Sequence, residues 1–154
     1  MPEKETAEKA RQDEHEGKSP STQAGEFVHE EIDHVKKGKH GARSTKQAIA
    51  IGLSKARRAG VKLPPPKGGS GKTKKQAEHD SEKGGSGQGK APSRARSRAT
   101  TKALRREGHE AAAHESLSKQ ARSNARHRGD AGRKAAAAKA VRTKEKTVRR
   151  ARKG

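Results

Sequence analysis

The sequence predicts a mostly α-helical chain with extensive disorder, built as a small helical hairpin followed by a basic helical or disordered tail. Three observations carry that expectation. Leu, Ile, Val and Phe number 13 of the 154 residues, about 8%, where less than roughly 20% signals a chain too poor in apolar groups to fold as an ordinary domain. Charged residues make up 37% and the formal net charge is +21, so weak hydrophobic drive and self-repulsion both oppose collapse. The branched apolar residues that do occur fall at helical spacing, and no run alternates as a strand would.

Taken in order, residues 1–16 carry three basic and six acidic side chains. Glu5 precedes Lys9 by four, the orientation that supports a helix, so this is an acidic, helical arm. Residues 17–66 hold nine of the thirteen large apolar residues and form the expected helical hairpin module. Ser19 followed by Pro20 reads as an N-cap with proline at the first helical position. Ala24, Val28, Ile32 and Val35 make one stripe with Phe27 beside it, and Gly38 ends the run. A second helix starts at Ser44-Thr45-Lys46-Gln47, a capping box in which the Ser44 hydroxyl accepts from the Gln47 N–H and the Gln47 side chain returns the bond. Ala48, Ile49, Ile51, Leu53 and Ala56 supply its apolar face, with Gly60 as the C-cap glycine and Val61 packing back.

Residues 67–92 are rich in Gly, Ser and Lys, contain GGSG twice and no large apolar residue, and read as a flexible linker. Residues 93–154 carry 20 basic and five acidic residues, a tail of alanine, lysine and arginine with good helix propensity but no apolar stripe wide enough to bury.

The stretch from Thr22 to Pro66, and above all ARSTKQAIAIGLSKARRAG (Ala42 to Gly60), resembles a family of small, basic, uncharacterised bacterial proteins, some of them labelled plasmid stabilisation proteins. Ser97 to Arg128 is similar to the tail of the same proteins. The resemblance implies a bacterial source and brings no functional residue with it. The tail composition is also similar to linker-histone tails and basic nucleoid proteins.

Two motifs fail on spacing. Gly71-Lys72-Thr73 completes a phosphate-binding loop only if a glycine stands five residues before Gly71, where this chain has Pro66, and the preceding prolines are no buried strand. The pairs His29/His34 and His109/His114 are five apart, not the four that place zinc-protease ligands on one helix face. Glu30 with His34, and His29 with Asp33, have spacing for weak ligation but read as a solvated face. With no cysteine in the chain, disulfides and thiolate metal sites are ruled out. No catalytic residue, cofactor or metal is expected, and the chain reads as a non-enzyme. The longest apolar run, Ala48 to Leu53, cannot span a bilayer, so no membrane insertion is expected and the cytoplasm is the expected location.

A basic surface with so little apolar cover calls for a polyanion. The expected function is largely sequence-independent binding of nucleic acid, duplex DNA favoured, in a nucleoid- or plasmid-associated protein that neutralises backbone phosphates. Arg57 and Arg58 are candidates to enter a major groove. Arg94, Arg96, Arg98, Lys102, Arg105, Arg106, Arg122, Arg126, Arg128, Arg133, Lys134, Lys139, Arg142, Arg149, Arg150 and Arg152 are the candidate phosphate contacts. Single-strand and RNA readers use aromatic platforms, and Phe27 is the chain's one aromatic residue. The alternatives are an RNA- or ribosome-associated basic protein, and an adaptor whose hairpin is the partner site. The same hairpin, marginal in isolation, is expected to dimerise, to pack on tail helices or to firm up on a partner.

Overall fold

The computed structural model describes residues 3–66, 68–85 and 93–151, and every regular element among them is helical. The chain divides into two compact units, Met1–Ala113 and His114–Gly154. The first contains α1 (Lys4–His15), α2 (Pro20–Lys36), α3 (Thr45–Arg58), α4 (Gly71–Gly85), α5 (Arg94–Arg105) and a single 3-10 turn at Glu110–Ala112. The second is α6 (His114–Ala151). The extensive disorder anticipated from composition is not what the described residues show; small side chains and ion pairs supply cover that a count of large apolar residues overlooks.

The α2–α3 hairpin forms as its local signals dictate. Ser19 and Ser44 are the N-caps, Pro20 opens α2, and Ser44 Oγ accepts from the Gln47 N–H at 3.2 Å. The returned bond shifts by one residue: Gln47 Oε1 accepts from the Arg43 N–H at 2.8 Å, so the box closes on the residue before the cap. Gly60, at φ +98°, follows α3 with Val61 N bonded to Ala56 O and Gly60 N to Arg57 O. The same paired bonds close α1 at Gly17 and α2 at Gly38, a left-handed ending that satisfies the last helical carbonyls.

The buried seam keeps the expected Ala24, Phe27, Ile32 and Val35 of α2 and Ala48 and Ala56 of α3, and differs from the expected one at Val28 and at the larger residues of α3. On α2, Phe27 and Val35 are fully buried at the centre of the contact, while Val28 is half-buried. On α3, Ala48, Gly52 and Ala56, four residues apart, are buried along with Thr45 and Arg57, and the larger Ile49, Ile51 and Leu53 are half-buried. The small residues win the centre because the helices approach closely there. A Cβ on Gly52 would sit 2.7 Å from Val28 Cα, which no side chain tolerates. Ala10, Ala24, Phe27, Ala56 and Val61 form the core cluster, with Leu53 and Leu63 against it.

The apolar faces of the hairpin are covered from within the chain. Ala10 of α1 enters the core. Ala111 and Ala112 of the 3-10 turn are buried, and Ala111 O accepts from Thr45 Oγ1 at 2.6 Å. The hairpin loop is tied to the end of α5, with Gly41 N donating to Leu104 O at 2.9 Å and Ala42 N to Gly108 O at 3.0 Å.

Most of the segment read as linker is helix α4, which packs on α3. Ser70 Oγ accepts from the Thr73 N–H at 3.3 Å, an N-terminal cap, so the Gly-Ser-Gly-Lys-Thr stretch starts a helix. Asp80, 1% exposed, accepts from Arg58 Nε at 2.8 Å, from Gln76 Nε2 at 3.0 Å and from Ser54 Oγ. Ala77 is buried beside it.

In the second unit, α6 is interrupted at Gly129, whose φ of 64° and ψ of 177° are non-helical, leaving helical runs at 114–128 and 130–151. Every described side chain of α6 is exposed or half-exposed. Among the described residues no helix is long and apolar enough to cross a membrane.

Candidate functional site

Two regions hold side chains that chemistry can use. The first is the basic surface. Arg94, Arg96, Arg98, Lys102, Arg105 and Arg106 are all exposed, and α5 buries no residue. Arg98, Lys102, Arg105 and Arg106 line one shallow depression with Ser97 and Thr101, because spacings of three and four residues return to one helix face. On α6, Lys119, Arg122 and Arg126 share a second depression with Ser118 and Ser123. Lys119 was missing from the sequence-based set; its spacing to Arg122 and Arg126 was the signal. Arg128, Arg133, Lys134, Lys139, Arg142 and Arg149 are exposed. Arg133 also pairs with Asp130. Arg150 lies in α6, and Arg152 falls outside the described residues.

Arg57 and Arg58 are placed differently. Arg57 is 8% exposed, and its Nη2 donates to Pro64 O at 3.2 Å. Arg58 is half-exposed but ion-paired with buried Asp80. Both guanidiniums hold the end of α3 to its neighbours.

The second region is a cluster of charged groups inside the first unit, where α1, α2, α3 and the hairpin loop meet. Glu30 and Glu31 are buried on α2, at 7% and 0% exposure. Lys55 Nζ of α3 lies 3.1 Å from Glu30 Oε1 and 2.7 Å from Glu31 Oε2. Burial alone would raise the Glu30 carboxyl, but hydrogen bonds from Thr6, the Glu3 N–H and Lys55 outweigh it and hold the group below the usual carboxylate range. Burial likewise disfavours the Lys55 ammonium, yet the Glu31 and Glu30 carboxylates outweigh that and hold it above its ordinary value. Glu3 Oε1 accepts from Lys39 Nζ at 2.7 Å and faces His34 Nε2 at 2.9 Å, and those bonds draw its carboxyl down to about 2.

Glu31, His34 and His40 each bring one donor atom into this cluster, all within 4.8 Å of one another. The His34 and His40 rings are 5.9 Å apart, edge to face. Sequence reasoning weighed His34 with His29 and with Glu30 and missed this trio. Glu31 is three residues before His34, one turn away, and His40 returns only because Gly38 turns the chain back at the end of α2.

Residues 18–67 match DUF6496, a family of unknown function. No curated protein and no solved structure gives a significant match to the chain.

Proposed function

We propose that the chain is a non-enzymatic, largely sequence-independent duplex DNA-binding protein, nucleoid- or plasmid-associated in the cytoplasm, that acts by neutralising backbone phosphates. The observation that carries this reading is α6: twelve lysines and arginines against three carboxylates on one helix, with no described side chain buried. Such a helix gains nothing from apolar burial and is opposed by its own charge until an anion joins it. α5 extends the basic surface of the first unit, with five basic residues and no acidic one. Phe27 is fully buried and the chain has no Tyr or Trp, which leaves no large aromatic platform for stacking unpaired bases and favours a duplex. Arg57 and Arg58 are left out of the proposed interface because the fold already engages them.

A salt titration of binding to matched duplex DNA, duplex RNA and single strands tests the reading. If about ten phosphates are neutralised, the log–log slope on duplex DNA is about −9. Preference for duplex RNA at equal salt would move the assignment to RNA, and indifference to every duplex at low salt would end it.

A further inference from the structure

We propose that Glu31, His34 and His40 form a binding site for one divalent transition-metal ion of the zinc class, held inside the first unit and independent of the basic helices. The geometry at His40 is the starting point. Its Nδ1 lies 3.1 Å from Gly41 O, and a carbonyl only accepts, so Nδ1 carries the proton and Nε2 the lone pair of the neutral ring. That Nε2 faces Glu31 Oε1 at 3.4 Å. Two lone pairs so placed repel unless a proton or a metal ion lies between them. The separation is long for a charge-assisted hydrogen bond, which closes to about 2.7–2.9 Å. It equals the spacing of about 3.4 Å between two ligands on a tetrahedral zinc with bonds near 2.1 Å.

Glu31 supplies the second, independent observation. Its side chain is completely buried, and its Oε1 has no hydrogen-bond partner, although buried carboxylates are normally satisfied. Lys55 Nζ, 2.7 Å from Oε2, supplies charge on one side only. Oε1 is left directed toward His40. Two carboxylates, Glu30 and Glu31, share the one ammonium of Lys55, so the pocket keeps a residual negative charge that a divalent ion would balance.

The surroundings fit a ligand set. The Gly41 carbonyl fixes the His40 ring, and the Glu3 carboxylate, 2.9 Å from His34 Nε2, orients the His34 ring, as outer carboxylates and carbonyls do around metal-bound histidines. Two imidazoles and one carboxylate favour a borderline ion such as zinc over magnesium or calcium, which prefer oxygen alone. The His34 and His40 side chains are 13% and 16% exposed, so the site is reachable, and water takes the fourth position. An ion there would fix the loop whose Gly41 holds the end of α5.

The test is a calorimetric titration of zinc chloride into the full-length protein stripped of metal by a chelator. One equivalent is expected to bind and to raise the melting temperature, and cobalt(II) is expected to give the intense visible bands of a tetrahedral ion. His40→Ala, a change in a loop, is expected to weaken zinc binding at least about tenfold, with helix content unchanged by circular dichroism in the absence of metal. His29→Ala and His79→Ala, at exposed positions, are expected to bind as the unaltered chain does. Because Glu31→Gln alters a fully buried group and risks unfolding, the cobalt spectrum of the unaltered chain stands as the second measurement. The proposal is overturned if His40→Ala binds zinc as tightly as the unaltered protein, if His29→Ala removes the site, or if cobalt(II) stays octahedral.

Discussion

At Gly52 the helix-forming cost of glycine, about 1 kcal/mol relative to alanine, is outweighed by what its missing side chain permits. A Cβ there would meet Val28 Cα at 2.7 Å and Phe27 O at 3.0 Å, backbone atoms that cannot rotate aside. Gly52→Ala is therefore expected to lower stability by about 1–3 kcal/mol, the usual cost of overpacking, despite improving helix propensity; a urea melt followed by circular dichroism reads it, and an unchanged midpoint would refute the close approach. Lys18 makes a different kind of residue-scale prediction. Its ammonium is held above its ordinary value by hydrogen bonds to Asp13 at 2.6 Å and Glu16 at 2.8 Å. A raised folded-state value means the contribution is fully present below the unfolded value of 10.5 and is lost as pH rises through the folded one. The stability gap between the native chain and Lys18→Met is thus expected to be constant from neutral pH to about 10.5 and to narrow above it. A gap that stays level to higher pH would show that Lys18 acts through packing alone.

Among the elements, α4 is the most exposed to a single change, because Ala77 and Asp80 are its two buried residues. Asp80→Asn leaves Arg58 without its anion and is expected to cost about 2 kcal/mol, in line with hydrogen bonds to charged groups. It should also open the lysines of α4 to trypsin sooner than in the unaltered chain; equal digestion rates would mean that α4 docks without Asp80. The contrast between α4 and the hairpin explains what was legible in the sequence. Caps and C-terminal glycines act within a few residues, so Ser19, Ser44 and Gly60 could be read directly. The docking of α4 depends on Arg58 and Asp80, 22 residues apart, and no local period announces such a pair. On α3 the expected Ala48 and Ala56 are buried, but Ile49, Ile51 and Leu53, which carry the strongest apolar signal, are half-buried, because the close approach at Gly52 leaves the centre to small residues. His40 was illegible for the same reason as Asp80: its partner Glu31 is reached only after the chain has turned.

For the whole molecule, the contrast between a unit with a buried core and one without a buried described side chain makes residues 1–113 a candidate for autonomous folding. A chain ending at residue 113 is expected to melt cooperatively within a few degrees of the full-length protein, and on the proposed function to lose most of its affinity for duplex DNA. Retention of full affinity would move the interface to α5. The break at Gly129 bears on how far α6 can reach. Its φ of 64° and ψ of 177° lie in a region open essentially to glycine, so Gly129→Ala is expected to favour one continuous helix, to raise the helical signal and to make the salt slope shallower. The reason is geometric. A straight rod of 38 residues would be about 57 Å long, a tangent to a cylinder whose grooves wind once in about 34 Å. Bent once, the same residues become two rods of about 22 and 33 Å, neither longer than a single turn of the duplex, and each able to follow the spiral of phosphates that a longer rod would leave behind.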